Sequence, residues 1–350
     1  MATRSARPVR RIHASAPIRI NDLGGWTDTW FADKGTVVNF AVRPAVEIQI
    51  DVRTNAPRRT KRVRVWAESF GETFAMDPEA PRMDVHPFLQ HAIACAGVPA
   101  DAALEVRISS PVPPGISTGT SASVCVALLG ALGALDPGRR GPGEIARLAH
   151  RVETERLGLQ SGVQDQIAAA RGGITLIRMK RYPDSRACAV RVSARTWDEL
   201  DRRLILVYLG RPHRSSSMHE RVIAALRAGG PQRRTLAGLS EIAREAHRAL
   251  LSGDLASLGD CMVRNNEGQR ALSPGLVSAP ADAVAAVAKR FGAAGWKVNG
   301  AGGRGGSMAV LAPEDDGFRR PMIAAIEALG RGIRVISVSL SRRGLSVWDA

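Results

Sequence analysis

A segment rich in glycine and hydroxyl side chains, residues 111–123, carries residue types that bind phosphate. Its glycines let the backbone approach a ligand closely, and it lies between a predicted strand and a predicted helix. The free N–H groups and the positive dipole end of that helix favour an anion. Five hydroxyls can donate to phosphate oxygens or enter the coordination shell of Mg²⁺: Ser117, Thr118, Thr120, Ser121 and Ser123. The segment therefore predicts a phosphate-binding loop.

Other interpretations of this loop are weaker. It is not a Walker A loop, because no Gly-Lys-Ser/Thr sequence follows. The stretch Gly119-Thr-Ser121-Ala-Ser123 lacks the final glycine of a G-x-S-x-G nucleophile elbow, which disfavours a serine hydrolase built on Ser121. An ordinary Gly/Ser turn that caps a buried helix is the structural alternative.

Two further segments combine glycines with polar residues. Residues 16–29 read Ala-Pro-Ile-Arg-Ile-Asn-Asp-Leu-Gly-Gly-Trp-Thr-Asp-Thr, so Arg19 and Asp28 are nine residues apart. Residues 298–307 hold five glycines within seven positions, between a predicted helix and a predicted strand. That composition favours a loop that approaches a ligand closely. A surface turn and a flexible linker are the structural alternatives for these two segments.

These three segments, in this order, resemble the three motifs of the GHMP kinases, the superfamily of galactokinase, homoserine kinase, mevalonate kinase and phosphomevalonate kinase. Together they span about residues 16–312. The resemblance implies an α+β fold of two domains. The N-terminal domain would be ribosomal protein S5 domain 2-like and the C-terminal domain a ferredoxin-like α/β sandwich. It also implies an ATP-dependent kinase with ATP and Mg²⁺ as cofactors.

The branch of the superfamily is indicated by residues 153–173, which are strongly similar to D-glycero-D-manno-heptose 7-phosphate kinases and their L-fucose kinase relatives. Gly24-Gly25-Trp26-Thr27-Asp28 fits the same branch, since Gly25 stands where galactokinases carry a glutamate. Residues 207–217 resemble a serine-bearing segment of that branch that faces substrate. The resemblance implies phosphorylation of an anomeric hydroxyl, first of heptose 7-phosphate, with an L-fucose or other hexose 1-kinase as the alternative.

The resemblance also implies roles for individual residues. Asp165 is the catalytic carboxylate, and Arg19 stabilises charge near the transferring phosphoryl group. The implied substrate-binding residues are Gly24, Gly25, Trp26, Thr27 and Asp28, the last of which can accept hydrogen bonds from two sugar hydroxyls. The implied ATP-binding residues are Pro114, Gly115, Ser117, Thr118, Gly119, Thr120, Ser121, Gly302 and Gly303. Ser121 and Glu153 are the implied Mg²⁺ ligands. One departure is that 117–121 read Ser-Thr-Gly-Thr-Ser, with one glycine fewer than the family's Gly-Leu-Gly-Ser-Ser.

The bulk composition is that of a globular protein of 350 residues, long enough for about two domains. No run of 18 apolar residues and no signal-peptide core is present, so we expect a cytoplasmic enzyme without a membrane partner. The four cysteines are too far apart for a zinc site, which favours reduced thiols. A net charge of +16 comes from arginines scattered along the chain, so nucleic-acid binding is disfavoured.

The expected partners are ATP and a small sugar or sugar phosphate, and a homodimer is left open. A non-catalytic protein on the same fold, sensing a sugar or associated with nucleic acid, is the alternative from a different class. The altered phosphate loop and the positive net charge favour that alternative.

The elements that must position these residues are predicted from periodicity and breakers. Strands are predicted at 12–20, 36–53, 63–67, 104–109, 174–179, 204–209, 308–311 and 333–340. Helices are predicted after the phosphate loop, from Pro142 through Glu153, at 164–170, 281–294 and 318–329, with mainly helical sequence from 210 to about 252. The polar segment 180–203 contains the predicted junction between a first domain, 1–200, and a second domain, 201–350.

Overall fold

The computed structural model describes residues 9–54, 60–68, 71–136, 138, 140–212, 215–227 and 231–350. His213 and Arg214, within the serine-bearing segment 207–217, lie outside the described residues. The described part of the chain folds into two β-sheets with helices packed against both.

The first sheet has nine strands among the described residues, and the long strand β2 runs through its centre. Val46, Ile48, Ile50 and Val52 of β2 are buried, as the alternating pattern predicts. One end of β2 pairs with β5 and the other with β6, so a single strand links two parts of the sheet. The strands are β1 (Val9–Leu23), β2 (Gly35–Arg53), β3 (Val63–Ala67), β4 (Glu72–Met76), β5 (Ala103–Ser109), β6 (Ile174–Arg181), β7 (Asp184–Ala189), β12 (Ser339–Leu340) and β13 (Ser346–Asp349).

Four helices pack on the first sheet: α1 (Pro87–Ala96), α2 (Thr120–Gly133), α3 (Pro142–Arg151) and α4 (Gln164–Arg171). Helix α2 is the central one, because its residues from Ala122 to Leu132 are all buried. A helix buried on all sides holds its N-terminus in a fixed place. The phosphate-binding loop leads directly into that N-terminus.

The second sheet contains β8 (Leu204–Leu209), β9 (Gly295–Val298), β10 (Ser307–Leu311) and β11 (Ile333–Ile336), in the spatial order β11-β8-β10-β9. All its pairings are antiparallel, and α9 (Ala279–Arg290) and α10 (Asp316–Glu327) pack on it. In chain order this is the 4-1-3-2 arrangement of a ferredoxin-like sandwich.

The remaining helices are α5 (Ala194–Arg203), α6 (Ser215–Arg227), α7 (Gln232–Ser252) and α8 (Leu255–Leu272). Helix α5 leads from β7 of the first sheet to β8 of the second, and the other three lie between β8 and β9 in the chain. One hydrophobic cluster contains Phe40 from the first sheet, Leu206 from the second and Leu239 from α7. The two halves therefore share a core. No helix among the residues described combines the length and apolarity needed to cross a bilayer.

Several predictions about elements were wrong. No element was predicted within the polar segment 180–203, which forms the end of β6, then β7 and then α5. Helix α3 ends at Arg151, and Glu153 lies in a π-helical turn, Val152–Arg156. Helix α8 was not predicted, because no strong apolar period marks it. The predicted strand 333–340 divides into β11 and β12, which belong to different sheets.

The boundary between residues 200 and 201 stays a prediction, but the two halves are not independent in sequence. Strands β12 and β13 come from the last part of the chain and pair with β2 and β1 of the first sheet. The first sheet is thus built from both ends of the chain.

Candidate active site

A cavity of about 490 Å³ lies at the N-terminus of α2, and residues from widely separated segments line it. Asp28, Ser121 and Asp165 all contribute to this one cavity. Its walls also include Arg19, Trp26, residues 114–121, Glu153, Gln164 and Gly300. Most of the sequence-predicted residues are thereby brought together from β1 and the turn that follows it, the phosphate loop, the π-helical turn and α4.

The phosphate loop ends in a backbone conformation that exposes the start of α2. Gly119 is the N-cap residue, with a φ of +67°, and Ser117 has a φ of +62°. These left-handed values suit glycine and are rare for serine. The backbone N–H of Arg19 donates to the carbonyl of Thr118 at 2.9 Å, which attaches the loop to β1. Free N–H groups of the first turn of α2 can therefore face a phosphate in the cavity.

Arg19 and Asp165 form a bidentate ion pair in the lining of the cavity. Arg19 Nε donates to Oδ1 of Asp165 at 2.8 Å, and Nη2 donates to Oδ2 at 3.2 Å. The third guanidinium nitrogen, Nη1, donates to the carbonyl of Ser117 at 2.5 Å. Burial opposes the charge on Arg19, but nearby carboxylates outweigh it and raise the pKa of the guanidinium. Arg19 thus fixes Asp165 relative to the phosphate loop.

The Asp165 carboxylate lies directly beside the N-cap of α2. A Cβ placed on Gly119 would be 3.1 Å from the Asp165 carboxyl group. The side chain of Asp165 keeps 27% of its surface exposed, whereas that of Arg19 keeps only 5%. The carboxylate can therefore reach a ligand that lies against the start of α2.

Asp28 is buried and contacts the same helix that carries Asp165. Its Oδ2 accepts from the backbone N–H of Gln164 at 3.0 Å, and its Oδ1 accepts from Gln164 Nε2 at 3.4 Å. Gly162 gives it room, since a Cβ there would lie 2.1 Å from Oδ2. Burial and the neighbouring Asp165 carboxylate raise the pKa of Asp28 to about 6.

Glu153 enters the cavity from the π-helical turn, an irregularity that frequently accompanies functional sites. Its Oε2 accepts hydrogen bonds from Ser161 and from Gln166 Nε2, the latter at 2.9 Å. Its Oε1 is buried and has no hydrogen-bond partner among the described residues. Burial raises the pKa of Glu153 to about 7.

The donor set fits Mg²⁺. A buried carboxylate oxygen without a partner, together with the Ser121 hydroxyl at the start of α2, supplies oxygen ligands of the kind Mg²⁺ prefers. Within the described residues, no group of three or more His, Cys, Asp or Glu could hold a metal. A Mg²⁺ ion that also binds phosphates and water usually has few ligands from the protein.

Some predicted ligand residues lie behind the cavity wall instead. Gly24, Gly25 and Thr27 are outside its lining, and they form a tight turn in which Thr27 Oγ1 donates to the carbonyl of Gly24 at 2.7 Å. In the third motif, Gly300 and Ala301 line the cavity, whereas Gly302 and Gly303 do not. Gly303 N–H donates to the carbonyl of Leu276 at 2.9 Å. Direct contacts of these five residues with ligands stay predictions.

Sequence reasoning missed a buried ion pair that joins the first and third motifs. Lys297 Nζ donates to Asp22 Oδ1 at 2.9 Å, and both side chains are almost completely buried. The same oxygen accepts from the backbone N–H of Gly300 at 3.0 Å. The only signal in the sequence was a lysine between Trp296 and Val298, within a short apolar segment.

A second set of missed residues attaches the third motif to the phosphate loop. Asn299 Oδ1 accepts from the backbone N–H of Asn21 at 2.9 Å, and its Nδ2 donates to Ser307 Oγ at 3.0 Å. Ser307 Oγ in turn donates to the carbonyl of Ile116 at 2.6 Å. Because these groups are buried, their hydrogen bonds fix the loops in one arrangement.

Comparisons with a family model, with sequence relatives and with solved structures all point to the GHMP kinases. The model of the GHMP kinases N terminal domain matches residues 87–173. Mevalonate kinase of Methanothermobacter thermautotrophicus is 30% identical over 246 residues, which cover 69% of this chain and 73% of the relative. D-glycero-alpha-D-manno-heptose 7-phosphate kinase of Campylobacter jejuni is 22% identical, and the alignment covers 85% of this chain and 88% of that kinase. Galactokinase of Lactococcus lactis, solved with galactose, superposes with a TM-score of 0.74 at 18% identity, over 96% of this chain and 95% of that one.

The superposition confirms the predicted two-domain α+β fold. The identity to the archaeal relative and its coverage establish the family, and that family consists of enzymes that phosphorylate small molecules with ATP. The chain therefore belongs to the GHMP kinases and is an ATP-dependent kinase.

Proposed function

We propose that this kinase transfers the γ-phosphoryl group of ATP, with Mg²⁺, to the anomeric hydroxyl of a sugar. The observation that carries this assignment is the position of Asp165, which is held by Arg19 beside the N-cap of α2 and is adjacent to Gln164, the partner of Asp28. A nucleotide phosphate at α2 and a hydroxyl at Asp28 would meet at this carboxylate. Direct in-line transfer requires that meeting point.

The nucleotide side of the cavity is the phosphate loop. The N–H groups of the first turn of α2, together with the hydroxyls of Thr118, Thr120 and Ser121, can donate to phosphate oxygens. Glu153 and Ser121 would hold Mg²⁺, which neutralises charge on the phosphates when bound. No lysine of a Walker A loop is required, because backbone groups and the helix dipole already favour the anion.

The chemical step depends on Asp165 and Arg19. Asp165 accepts the proton of the attacking hydroxyl as the new O–P bond forms and the bond from the γ-phosphorus to ADP breaks. Arg19 orients the Asp165 carboxylate through two hydrogen bonds, and its positive charge stabilises negative charge that develops nearby. The transfer is direct, without a phosphorylated enzyme intermediate.

The acceptor is a sugar, since a carboxylate such as Asp28 and polar groups such as Trp26 Nε1 and Gln164 suit hydroxyl recognition. Our first choice is D-glycero-D-manno-heptose 7-phosphate, supported by residues 153–173 and by the similarity to the Campylobacter jejuni kinase. L-Fucose or another hexose is the alternative, supported by the Gly24-Gly25-Trp26-Thr27-Asp28 sequence.

A substrate screen tests this function. Mg²⁺- and ATP-dependent ADP release is measured with heptose 7-phosphate, L-fucose, D-galactose and mevalonate, the last because a 30% identical relative is a mevalonate kinase. We expect turnover with one of the sugars, lost in Asp165→Asn and retained in Asp184→Asn, a change at the exposed start of β7. Preference for mevalonate, or indifference to all three sugars, would overturn the proposed acceptor class.

A further inference from the structure

Asp22 is a buried carboxylate in the cavity wall whose two oxygens have different surroundings. Oδ1 accepts from Lys297 Nζ at 2.9 Å and from the N–H of Gly300 at 3.0 Å. Oδ2 is buried and has no hydrogen-bond partner anywhere in the described ranges. An acceptor left unpaired in a protein interior is costly, and such an atom at a cavity wall indicates a missing donor.

Asp22 Oδ2 packs against Gly25. A Cβ on Gly25 would lie 2.4 Å from Oδ2, so the carboxylate occupies the space that any larger residue at position 25 would need. Lys297 and Gly300 hold the other oxygen, which prevents the carboxylate from turning away. Asp22 is therefore a rigid acceptor at the edge of the cavity.

The carboxylate is ionised. Burial would raise the pKa of Asp22, but Lys297, Arg19 and the Gly300 N–H outweigh it and hold the pKa below its ordinary value. An ionised carboxylate accepts hydrogen bonds and donates none. The missing partner must consequently be a donor.

We propose that Asp22 Oδ2 accepts a hydrogen bond from a hydroxyl group of the acceptor sugar and so contributes to sugar specificity. This role rests on the proposed sugar kinase function. Trp26 also lines the cavity, and its indole N–H is buried without a partner in the part of the chain that is described. Hydroxyls both donate and accept, so a sugar is the class of ligand that satisfies an unpaired acceptor and an unpaired donor in one cavity.

An alternative role is purely structural, in which the Asp22–Lys297 pair only clamps the third motif to the first. The variants Asp22→Asn and Asp22→Asn/Lys297→Met separate the two roles. In both variants the amide oxygen keeps the Gly300 N–H, which places an uncharged NH₂ group where the anionic Oδ2 was. The charge-assisted hydrogen bond from the sugar hydroxyl is thereby lost, and a hydroxyl that turns to accept from the NH₂ group forms only a weaker neutral bond. The double variant also removes the lysine charge that would otherwise be buried without its partner.

The test measures sugar and ATP dissociation constants by calorimetry for wild type, both variants and Asp51→Asn. Asp51 is a matched control, because its side chain is also mostly buried and paired with arginines, on β2 away from the cavity. The sugar probe is whichever of heptose 7-phosphate, L-fucose and D-galactose the wild type phosphorylates fastest. We expect the sugar dissociation constant to rise by about 10- to 100-fold in both Asp22 variants, with ATP binding unchanged. Asp51→Asn should bind both the sugar and ATP as the wild type does.

If the double variant binds the sugar as tightly as the wild type, Asp22 only holds the third motif against the first. Its proposed contact with the sugar is then wrong, whereas the proposed sugar kinase function is unaffected. A wild type that phosphorylates none of the sugars would overturn the proposed function, and the role of Asp22 with it. A crystal structure of the wild type with the sugar bound gives a readout that needs no variant. We expect a sugar hydroxyl within about 3.2 Å of Oδ2, and a bound sugar without that contact contradicts the assignment.

Discussion

The carboxylate of Asp28 accepts a hydrogen bond from the backbone N–H of Gln164 at 3.0 Å, one residue before Asp165. The residue proposed to bind the sugar therefore holds the first turn of the helix that carries the proposed base. Since α4 begins at Gln164, a shift of Asp28 is transmitted to Asp165 through a single peptide unit. We therefore expect a displacement of the bound sugar to shift the proposed base as well.

Gly162→Ala tests this coupling. The added Cβ would lie 2.1 Å from Asp28 Oδ2, so the carboxylate or the turn must move. We expect kcat/KM for the sugar to fall by about 100-fold, because misplacement by an ångström can cost that much. The apparent affinity for ATP should stay within a factor of about two. Steady-state kinetics with each substrate varied separately measures both effects.

Gly238→Ala is the matched control for Gly162→Ala. Gly238 lies on the exposed side of α7 with no atom within 4 Å of the added methyl group. We expect unchanged kinetics and a gain in stability of about 0.5–1 kcal/mol from the better helix former. Equal kinetics in both variants would contradict the coupling.

Arg19→Lys tests whether the rate depends on the positive charge at position 19 alone or also on the hydrogen-bond geometry of its ion pair with Asp165. Lysine keeps the positive charge but cannot donate two parallel hydrogen bonds to the carboxylate and a third to Ser117. We expect kcat to fall by about 100- to 1,000-fold, which is the range for loss of an oriented cationic donor. The control is Arg53→Lys, at an exposed pair with Glu105, for which kcat should not change. An Arg19→Lys enzyme with wild-type kcat is incompatible with the orienting role.

The pH dependence of sugar use should show the titration of Asp28. Its pKa is raised from 3.8 to about 6, so the carboxyl group gains a proton and loses acceptor capacity as the pH falls through about 6. We expect kcat/KM for the sugar to decrease about tenfold per pH unit below that point. The assays use saturating Mg²⁺, which keeps its proposed ligand Glu153 ionised, and under these conditions Asp28→Asn should give a low rate without this acidic limb. A wild-type profile that is flat from pH 5 to 8 contradicts the assignment.

Glu153 should make the ligand-free protein less stable as the pH rises. Its folded pKa of about 7 exceeds the ordinary value of 4.5, so the stabilisation present below pH 4.5 is lost as the buried group ionises through about pH 7. Calorimetry at pH 5.5 and pH 8 should show a larger drop in Tm for the wild type than for Glu153→Gln. The exposed neighbour Glu155, changed to Gln, is the control and should behave as wild type.

The same variant tests the metal role of Glu153. We expect Glu153→Gln to require about tenfold or more Mg²⁺ for half-maximal rate, because one anionic oxygen ligand is lost. Glu155→Gln should keep the wild-type Mg²⁺ requirement. If Glu153→Gln needs no more Mg²⁺ than the wild type for half-maximal rate, Glu153 is not a Mg²⁺ ligand.

The segment after β12 packs against the C-terminal end of α4. A Cβ on Gly344 would lie 2.3 Å from the carbonyl oxygen of Ala170, and backbone cannot yield as a side chain can. We expect Gly344→Ala to lower the free energy of unfolding by about 1–3 kcal/mol, measured by urea denaturation. Gly133→Ala, with no atom within 4 Å of its added methyl group, should not be destabilised.

Local patterns in the sequence were sufficient for much of the fold. The alternation in β2 reflects a sheet with one buried face, and the glycine- and serine-rich loop reflects a strand-to-helix connection at α2. Both depend on neighbours a few residues apart. The association of Arg19, Asp28 and Asp165 in one cavity followed from the family resemblance rather than from periodicity.

Other features depend on contacts between distant parts of the chain and leave little trace in local sequence. Asp22 and Lys297 are 275 residues apart, so the local sequence around either residue does not indicate that they pair. Helix α3 is followed directly by a π-helical turn at Val152–Arg156, and no glycine or proline at that point in the sequence predicts the change. The pairing of β13 with β1 joins segments that only the folded topology brings together.

That pairing has a consequence for synthesis in the cell. Ile12 of β1 pairs with Asp349, so one edge of the first sheet lacks its neighbour until the ribosome has added the residues in between. At ordinary elongation rates this interval lasts roughly 20 to 70 s, during which the β1 edge is open to pairing with other nascent chains. Cotranslational chaperones would therefore have their longest task at the beginning of this polypeptide rather than at its end.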